Sequence, residues 1–150
     1  MGQCSFQQAT KHDEAVIFDV YCRVMKEYIA EIWGWDQEWQ EQDFIKHFSP
    51  ENITVVRKDN KAIGYSQIED HGHRLYIRML LLLPQHQHKG IGSRLLNAVI
   101  EKAKVQSKSL ALQVFKINAQ AKRFYERHGF QVQGETPSSL TMVFMPNKGN

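Results

Sequence analysis

The sequence MLLLLPQHQHKGIGSRLL (residues 79–96) combines five consecutive apolar residues, a proline and two glycines. The apolar run predicts a buried strand, Pro84 ends it, and Gly90 and Gly92 indicate a tight turn. From Gly90 to Gln106 apolar residues recur at four-residue intervals, which predicts an amphipathic helix. A turn at a helix start presents backbone N–H groups and a partial positive charge. It therefore suits an anion such as a pyrophosphate, although a tight turn without a ligand has the same pattern.

Two familiar phosphate-binding motifs do not fit this stretch. The nucleotide P-loop ends in Gly-Lys-Ser/Thr, whereas Gly92 is followed by Ser93 and Arg94. The dinucleotide fingerprint requires a third glycine, and Leu95 stands at that position. The stretch is therefore neither of these two nucleotide sites.

The remaining chain alternates helical and strand patterns. We predict helices over 11–32, 38–48 and 118–128, a hairpin over 53–69 with its turn at Asp59-Asn60, a strand over 74–83, a strand over 110–115 and a closing hairpin over 130–145. The strand, helix and strand around Gly90 require at least one parallel pair. The sequence thus predicts an α/β (α+β) domain with a mixed sheet.

Length and composition bound the class of protein. The 150 residues, 42% of them hydrophobic, suit one domain over residues 1–150. The longest apolar run, Met79 to Leu83, is far shorter than the roughly 20 residues that span a bilayer. The start MGQCSF does not resemble a signal peptide, and Cys4 and Cys22 have no metal or disulfide spacing. We therefore expect a soluble cytoplasmic protein without a membrane or metal partner.

Charge is distributed unevenly along the chain. Residues 27–51 contain seven acids and one lysine, and residues 84–128 contain nine bases and two acids. The two regions could attract a cation and an anion respectively, or they could be solvated helix faces. The basic region has neither a ribonucleoprotein-type aromatic strand nor a zinc-finger spacing, so we expect no nucleic-acid partner.

Two segments together resemble a known family. LLLLPQHQHKGIGSRLL is similar to the Q/R-x-x-G-x-G/A signature of the GNAT superfamily of acyl-CoA-dependent N-acetyltransferases, with Gln87, Gly90 and Gly92 at the motif positions. NAQAKRFYERHGF resembles the second signature of the family, and it follows at the expected separation. The resemblance implies the GNAT fold: a mixed, mostly antiparallel central sheet, helices on both faces, and a strand, turn and helix that bind CoA.

The resemblance also implies an acetyl-CoA site and residue roles. The backbone of Leu80, Leu81 and Leu82 would pair with the pantetheine arm, and Asn118 would contact the cofactor near its acyl end. Tyr125 would protonate the leaving thiolate, and as a structural alternative it would be a core aromatic residue. The cofactor residues of the turn that would hold the pyrophosphate are Gln87, His88, Lys89, Gly90, Ile91, Gly92 and Ser93, and His86 is part of the same turn.

The implied reaction is acetyl transfer from acetyl-CoA to a primary amine of a small molecule, peptide or protein, by direct attack in a ternary complex. The general base is not identified, because Gln113 stands where some relatives have a glutamate. Glu69, Asp70, His71 and His73 could line the acceptor side or could form an ordinary polar turn. The alternative function is a non-catalytic acyl-CoA-binding sensor or interaction module.

The segment EIWGWDQEWQ (residues 31–40) places three tryptophans beside acids. Trp35 and Asp36 are our candidate acceptor contacts, because an aromatic and acidic wall can hold a cation. Trp33 and Trp39 are expected to seal the helices onto the sheet. We also expect that an exposed C-terminal strand could pair across a homodimer.

Overall fold

A computed structural model describes residues 3–146 of the chain. It contains seven strands: β1 (Cys4–Gln8), β2 (Ile53–Lys58), β3 (Lys61–Asp70), β4 (Arg74–Leu82), β5 (Ser109–Phe115), β6 (Gln131–Glu135) and β7 (Ser139–Phe144). Its four α-helices are α1 (Glu14–Ile32), α2 (Gln37–His47), α3 (Ile91–Gln106) and α4 (Ala119–Arg127). No helix within residues 3–146 is long and apolar enough to cross a membrane.

The described chain divides into two compact units. The first unit comprises residues 3–67 and Met79–Arg94, and the second comprises Ile68–Arg78 and residues 95–146. The single domain predicted for residues 1–150 stays a prediction, and residues 1, 2 and 147–150 lie outside the described part of the chain.

The strands follow the order β1-β2-β3-β4-β5-β7-β6 in one sheet. The β4–β5 ladder is parallel, whereas β1–β2, β2–β3, β5–β7 and β6–β7 are antiparallel. This topology confirms the predicted mixed, mostly antiparallel sheet. Because β7 is paired on both sides, it cannot extend the sheet into a second copy. The expectation of an exposed C-terminal strand is wrong, and the strand at that edge is β6.

Local sequence explains most element boundaries. Asp59 and Asn60 both have positive φ angles, 54° and 65°, which suit the tight turn between β2 and β3. Asp36 and Asn118 cap α2 and α4, because their side chains accept hydrogen bonds from the backbone N–H groups of Trp39 and Ala121. The helices therefore begin at polar residues that satisfy otherwise unpaired donors.

The strand β1 was not predicted, and its sequence explains why. The strand is only five residues long, CSFQQ, and most of these residues are polar and exposed. They form a strand because they pair with β2, from Cys4 opposite Lys58 to Gln8 opposite Thr54. Long-range pairing, and not local preference, produces this element.

The buried face of α3 matches the predicted periodicity. The buried residues on this helix recur three or four positions apart and include Leu95, Leu96, Val99 and Ala103. They are at most 6% exposed, so the helix covers apolar surface along its length. Ile91, the first residue of the helix, is also buried, and this fixes the start of α3 next to the glycine turn.

Candidate functional site

The glycine turn, residues Gln87–Gly90, joins the end of β4 to the start of α3. A short 3-10 turn covers Pro84–His86, and the backbone then adopts positive φ angles at His88 (63°) and Gly90 (84°). Gly90 takes this conformation without strain, and apart from its two chain neighbours no residue has an atom within 4 Å of the place where a Cβ would stand. In general, the first N–H groups of an α-helix have no acceptor within the helix. The structure thus contains the predicted strand, turn and helix.

Gln87 braces this turn. Its Nε2 donates a hydrogen bond of 2.9 Å to the backbone oxygen of Leu82, the last residue of β4. The motif glutamine therefore has a structural contact within the protein. Its predicted role in cofactor binding stays a prediction.

His86 lies next to the turn with a buried ring nitrogen. Its Nδ1 has no hydrogen-bond partner among the described residues. Burial lowers the pKa of His86, and the charges of Lys58 and Lys89 lower it further. The imidazole is therefore held in its neutral form by an environment that is both partly desolvated and positive.

Sequence reasoning missed two basic residues near the turn. A cavity of about 500 Å³ is lined by Lys58, Lys89 and Arg94, together with Gln3, Cys4 and Ile91. Lys58 ends β2, about 30 residues before the turn along the chain, and no local pattern indicates that it comes close to Lys89. Arg94 follows Gly92, the last motif position, by two residues, and its place on the first turn of the predicted helix is the signal that could have identified it.

The end of β4 is arranged for close backbone approach. The parallel ladder between β4 and β5 has four residue pairs and ends at Ile77 and Leu112. Leu80, Leu81 and Leu82 lie beyond these pairs. Gly64 on β3 lies so close to them that a Cβ added to Gly64 would collide with the Leu81 carbonyl oxygen and the Leu82 side chain. Gly64 is therefore required by packing at the segment predicted to pair with pantetheine.

The second unit contains Asn118 and Tyr125, at the start and near the end of α4. The Oδ1 of Asn118 accepts a hydrogen bond of 3.1 Å from the N–H of Ala121, so Asn118 caps the helix. Tyr125 is 8% exposed, and its ring packs edge-on against Phe124 and Phe130 with centroids 5.2 and 5.4 Å away. Burial raises the pKa of Tyr125, so its hydroxyl stays protonated at neutral pH.

Polar residues at the end of β3 and in the turn that follows contact one another and nearby basic residues. Glu69 lies 3.0 Å from the Nε2 of His71 and 3.4 Å from a guanidinium nitrogen of Arg78. Asp70 pairs with Lys108 at 2.9 Å, and this hydrogen bond, with one from the N–H of Gly72, lowers the pKa of Asp70. These contacts favour an ordinary polar turn over an acceptor site.

Gln113 lies on β5, opposite Thr141 on β7, and its side chain is exposed. An amide does not accept a proton at neutral pH, so this position supplies no base. Within residues 3–146 no group of three or more His, Cys, Asp or Glu residues could hold a metal ion.

The tryptophan segment differs from expectation. Trp33 and Trp39 are 65% and 57% exposed, so the prediction that they seal the helices onto the sheet is wrong. Trp33 lies at the end of α1, where the chain turns through Gly34 with a φ of 86°, and Trp39 lies on the exposed side of α2. Other residues form the buried sides of these helices. Among them, the hydroxyl of Tyr21 on α1 donates a buried hydrogen bond of 2.9 Å to the Oε1 of Gln40 on α2.

Trp35 and Asp36 both have contacts within the protein. The Nε1 of Trp35 donates to Gln37 over 2.8 Å, and the Nζ of Lys26 lies 5.7 Å from the centroid of the Trp35 ring. A cationic side chain of the protein itself, that of Lys26, thus already lies close to the Trp35 ring. Asp36 accepts the cap hydrogen bond from Trp39 over 3.0 Å. Their predicted role in acceptor binding stays a prediction.

Most of the predicted cofactor residues lie in the first unit. The end of β4, the glycine turn and the first turn of α3 in this unit contain Leu80, Leu81, Leu82, Gln87, His88, Lys89, Gly90, Ile91, Gly92 and Ser93. Trp35 and Asp36 also belong to this unit, and Asn118 and Tyr125 belong to the second.

The mixed, mostly antiparallel sheet, in which β4 passes through a glycine turn into α3, fits the fold that the two motifs imply. The chain belongs to the Acetyltransferase (GNAT) family, whose sequence profile matches residues 11–130. The resemblance noted from the two motifs is thereby confirmed. None of the curated protein sequences matches the chain significantly.

Solved structures share this fold across nearly the whole chain. PaiA N-acetyltransferase from Thermoplasma acidophilum, in complex with coenzyme A, is 20% identical, with a TM-score of 0.79 over 95% of this chain and 99% of that one. The ribosomal-protein-S18-alanine N-acetyltransferase from Escherichia coli is 17% identical, with a TM-score of 0.76 over 98% and 97%. YncA from Salmonella typhimurium, with acetyl-CoA, is 19% identical, with a TM-score of 0.70 over 99% and 96%. At these identities the likeness concerns the fold.

Proposed function

We propose that the protein transfers an acetyl group from acetyl-CoA to a primary amine of a small molecule, peptide or protein. The observation that carries the proposal is the turn at Gly90, whose left-handed backbone and open surroundings precede the first turn of α3. This arrangement suits a pyrophosphate, because helix-start N–H groups bind anions and glycine leaves room for them. Family membership supports acetyl-CoA as the ligand.

The residues of the first unit would hold the cofactor. Backbone N–H groups from His88 to Ser93 would bind the pyrophosphate, and Lys89 adds a positive charge beside it. Leu80 to Leu82 would pair with the pantetheine arm as an added strand does, since the ladder with β5 ends at Ile77. The hydrogen bond from Gln87 to Leu82 would keep these two parts in register.

When bound, acetyl-CoA supplies the acetyl group as a thioester, whose carbon–sulfur bond breaks while the amine nitrogen bonds to the acetyl carbon. Tyr125 would donate its hydroxyl proton to the leaving sulfur and recover a proton from water. A phenol of pKa about 10 is a weaker acid than a thiol of pKa about 8.5. Burial raises the pKa of Tyr125 and makes its hydroxyl a still weaker acid, so the proton transfer requires that the leaving thiolate is desolvated as well.

The acceptor amine must lose its proton before it attacks. Deprotonation of a lysine-like amine of pKa about 10.4 costs roughly 4 kcal/mol at neutral pH. For an α-amino group of pKa about 7.7–8.0 this cost is much smaller. The lowered pKa of Asp70 makes it a weaker base, and Gln113 is an amide. We therefore propose that water molecules carry the proton away.

The acceptor contacts proposed here are Trp35 and Asp36. The acidic excess of residues 27–51 would attract a cationic acceptor. The fold neighbour from Escherichia coli acts on an alanine of ribosomal protein S18. A peptide amino terminus is accordingly one of the acceptors to test, beside small amines and lysine side chains.

The test is release of the CoA thiol from acetyl-CoA with a panel of polyamines, amino sugars, lysine peptides and peptides with free amino termini. We expect one class to increase thiol release and to gain the mass of an acetyl group. Acetyl-CoA binding is measured on the same sample by calorimetry. Binding without amine-dependent release from any member of the panel would contradict transfer to amines and favour the non-catalytic acyl-CoA-binding alternative.

A further inference from the structure

The cavity beside the glycine turn is strongly cationic. Lys58 from the end of β2, Lys89 from the turn and Arg94 from the first turn of α3 line a space of about 500 Å³. The other lining residues, Gln3, Cys4 and Ile91, carry no formal charge at neutral pH. Three cations from separate parts of the first unit thus face one opening.

These cations are not neutralised by neighbouring acids. Across residues 3–146, none of the three forms an ion pair with an Asp or Glu side chain. The guanidinium carbon of Arg94 lies 5.0 Å from the centroid of the Phe6 ring. Stacking on an aromatic ring holds a guanidinium in place without removing its charge. Arg94 is therefore positioned before any ligand binds.

The same positive charges affect the pKa of the neighbouring His86. Lys58 and Lys89 both lower its pKa, in addition to burial. Both lysines also line the cavity, so they act on one small region although they are far apart in sequence. An anion in the cavity would relieve this repulsion.

We propose that this cavity binds a phosphate monoester dianion. Such a group carries close to two negative charges at neutral pH and three acceptor oxygens, which matches two ammonium groups and a guanidinium fork. A volume of about 500 Å³ is in the range of small organic ligands and exceeds the need of a bare ion. Lys58 is then a specificity-determining residue outside the glycine turn.

The dianion has two sources. One is the ribose 3′-phosphate of acetyl-CoA, and this source rests on the proposed function. The other is a separate phosphate monoester that binds beside the glycine turn. The shared chemistry is the dianion itself, so the experiment compares ligands that differ only in this group.

The experiment measures calorimetric binding of acetyl-CoA and of 3′-dephospho-acetyl-CoA to three proteins: wild type, Lys58→Met and Lys61→Met. Lys61 is the matched control, because it is an exposed lysine of the same hairpin that does not line the cavity. We expect wild type and Lys61→Met to prefer acetyl-CoA by about tenfold or more. We expect Lys58→Met to lose this preference.

Inorganic phosphate distinguishes the second source. If wild type binds acetyl-CoA and its dephospho form equally but also binds phosphate, and Lys58→Met does not, the dianion comes from a separate ligand. Equal affinities without phosphate binding would overturn the proposal, as would equal effects of the two lysine substitutions. If wild type binds no acetyl-CoA, the proposed function fails, and the phosphate titration alone decides the cavity.

Cys4 provides a second readout that needs no variant. It is a free cysteine that lines the cavity, whereas Cys22, also free, lies on α1. The dianion should slow alkylation of Cys4 by N-ethylmaleimide, followed by peptide mass spectrometry, and leave Cys22 unchanged. Acetyl-CoA should protect Cys4 more than its dephospho form, or phosphate should protect it if the ligand is separate. Equal protection of both cysteines, or none, would contradict binding in the cavity.

Discussion

The Nε2 of Gln87 donates a hydrogen bond of 2.9 Å to the backbone oxygen of Leu82, and so ties the glycine turn to the end of β4. Replacing Gln87 with Met keeps the size of the side chain and removes the donor. We expect this change to lower the free energy of unfolding by about 1 kcal/mol and to weaken acetyl-CoA binding. Urea unfolding and calorimetry measure the two effects. Gln85→Met is the control, since Gln85 is exposed, and equal results for the two variants would contradict the bracing role.

Gly64 should tolerate no side chain. A Cβ at this position would collide with the Leu81 carbonyl oxygen and the Leu82 side chain. We expect Gly64→Ala to lower the free energy of unfolding by about 1–3 kcal/mol, because the backbones of β3 and β4 must separate. Gly134→Ala is the control, because the nearest atom to its Cβ would be 3.9 Å away in Thr141. Thermal unfolding compares them, and equal midpoints would show that the close approach is not required.

Tyr125→Phe should separate catalysis from binding. The substitution removes only the hydroxyl, and the packing against Phe124 and Phe130 remains. We expect turnover to fall about a hundredfold while acetyl-CoA affinity stays close to that of wild type. Tyr76→Phe is the control, because Tyr76 is a partly buried tyrosine outside the proposed site, and it should leave turnover nearly unchanged. An unchanged rate in Tyr125→Phe would remove Tyr125 from the mechanism.

The raised pKa of Tyr125 should also appear in alkaline stability. Burial raises the pKa in the folded state, whereas the phenol in the unfolded chain ionises near pH 10. The folded state retains the proton longer, so this contribution to stability is complete below about pH 10 and is lost as pH rises through the folded pKa. Urea midpoints between pH 8 and 11 should fall less steeply in Tyr125→Phe than in wild type. Parallel curves would show that the phenol is not desolvated.

Local sequence patterns predicted the elements that have strong local signals. The four-residue spacing of Leu95, Val99 and Ala103 predicts α3, and Asp59-Asn60 predicts the β2–β3 turn, since periodicity and turn chemistry are properties of adjacent residues. The glycine turn followed from the pattern of apolar strand, Gly90, Gly92 and apolar helix. The two motifs correctly indicated the family.

Features that depend on distant pairing were missed. The polar strand β1 exists because it pairs with β2, and Lys58 reaches the cavity because β2 ends there. Trp33 and Trp39 are large and apolar, yet they are exposed, since helix ends and faces are oriented by the residues that pack beneath them. Gln87 is a motif residue, but its hydrogen bond to Leu82 depends on how the turn folds back onto β4.

The most direct measurement is calorimetric titration of acetyl-CoA into wild type, Gly90→Glu and Gly72→Glu. Both glycines have positive φ angles, 84° and 90°, and open space at the Cβ position, so the two substitutions impose the same backbone strain. Only Gly90 lies at the proposed pyrophosphate site, where a glutamate adds bulk and negative charge. We predict tight binding to wild type and Gly72→Glu and at least a tenfold loss in Gly90→Glu. Equal binding to both variants, or no binding to wild type, would contradict the assignment of the glycine turn as the acetyl-CoA site.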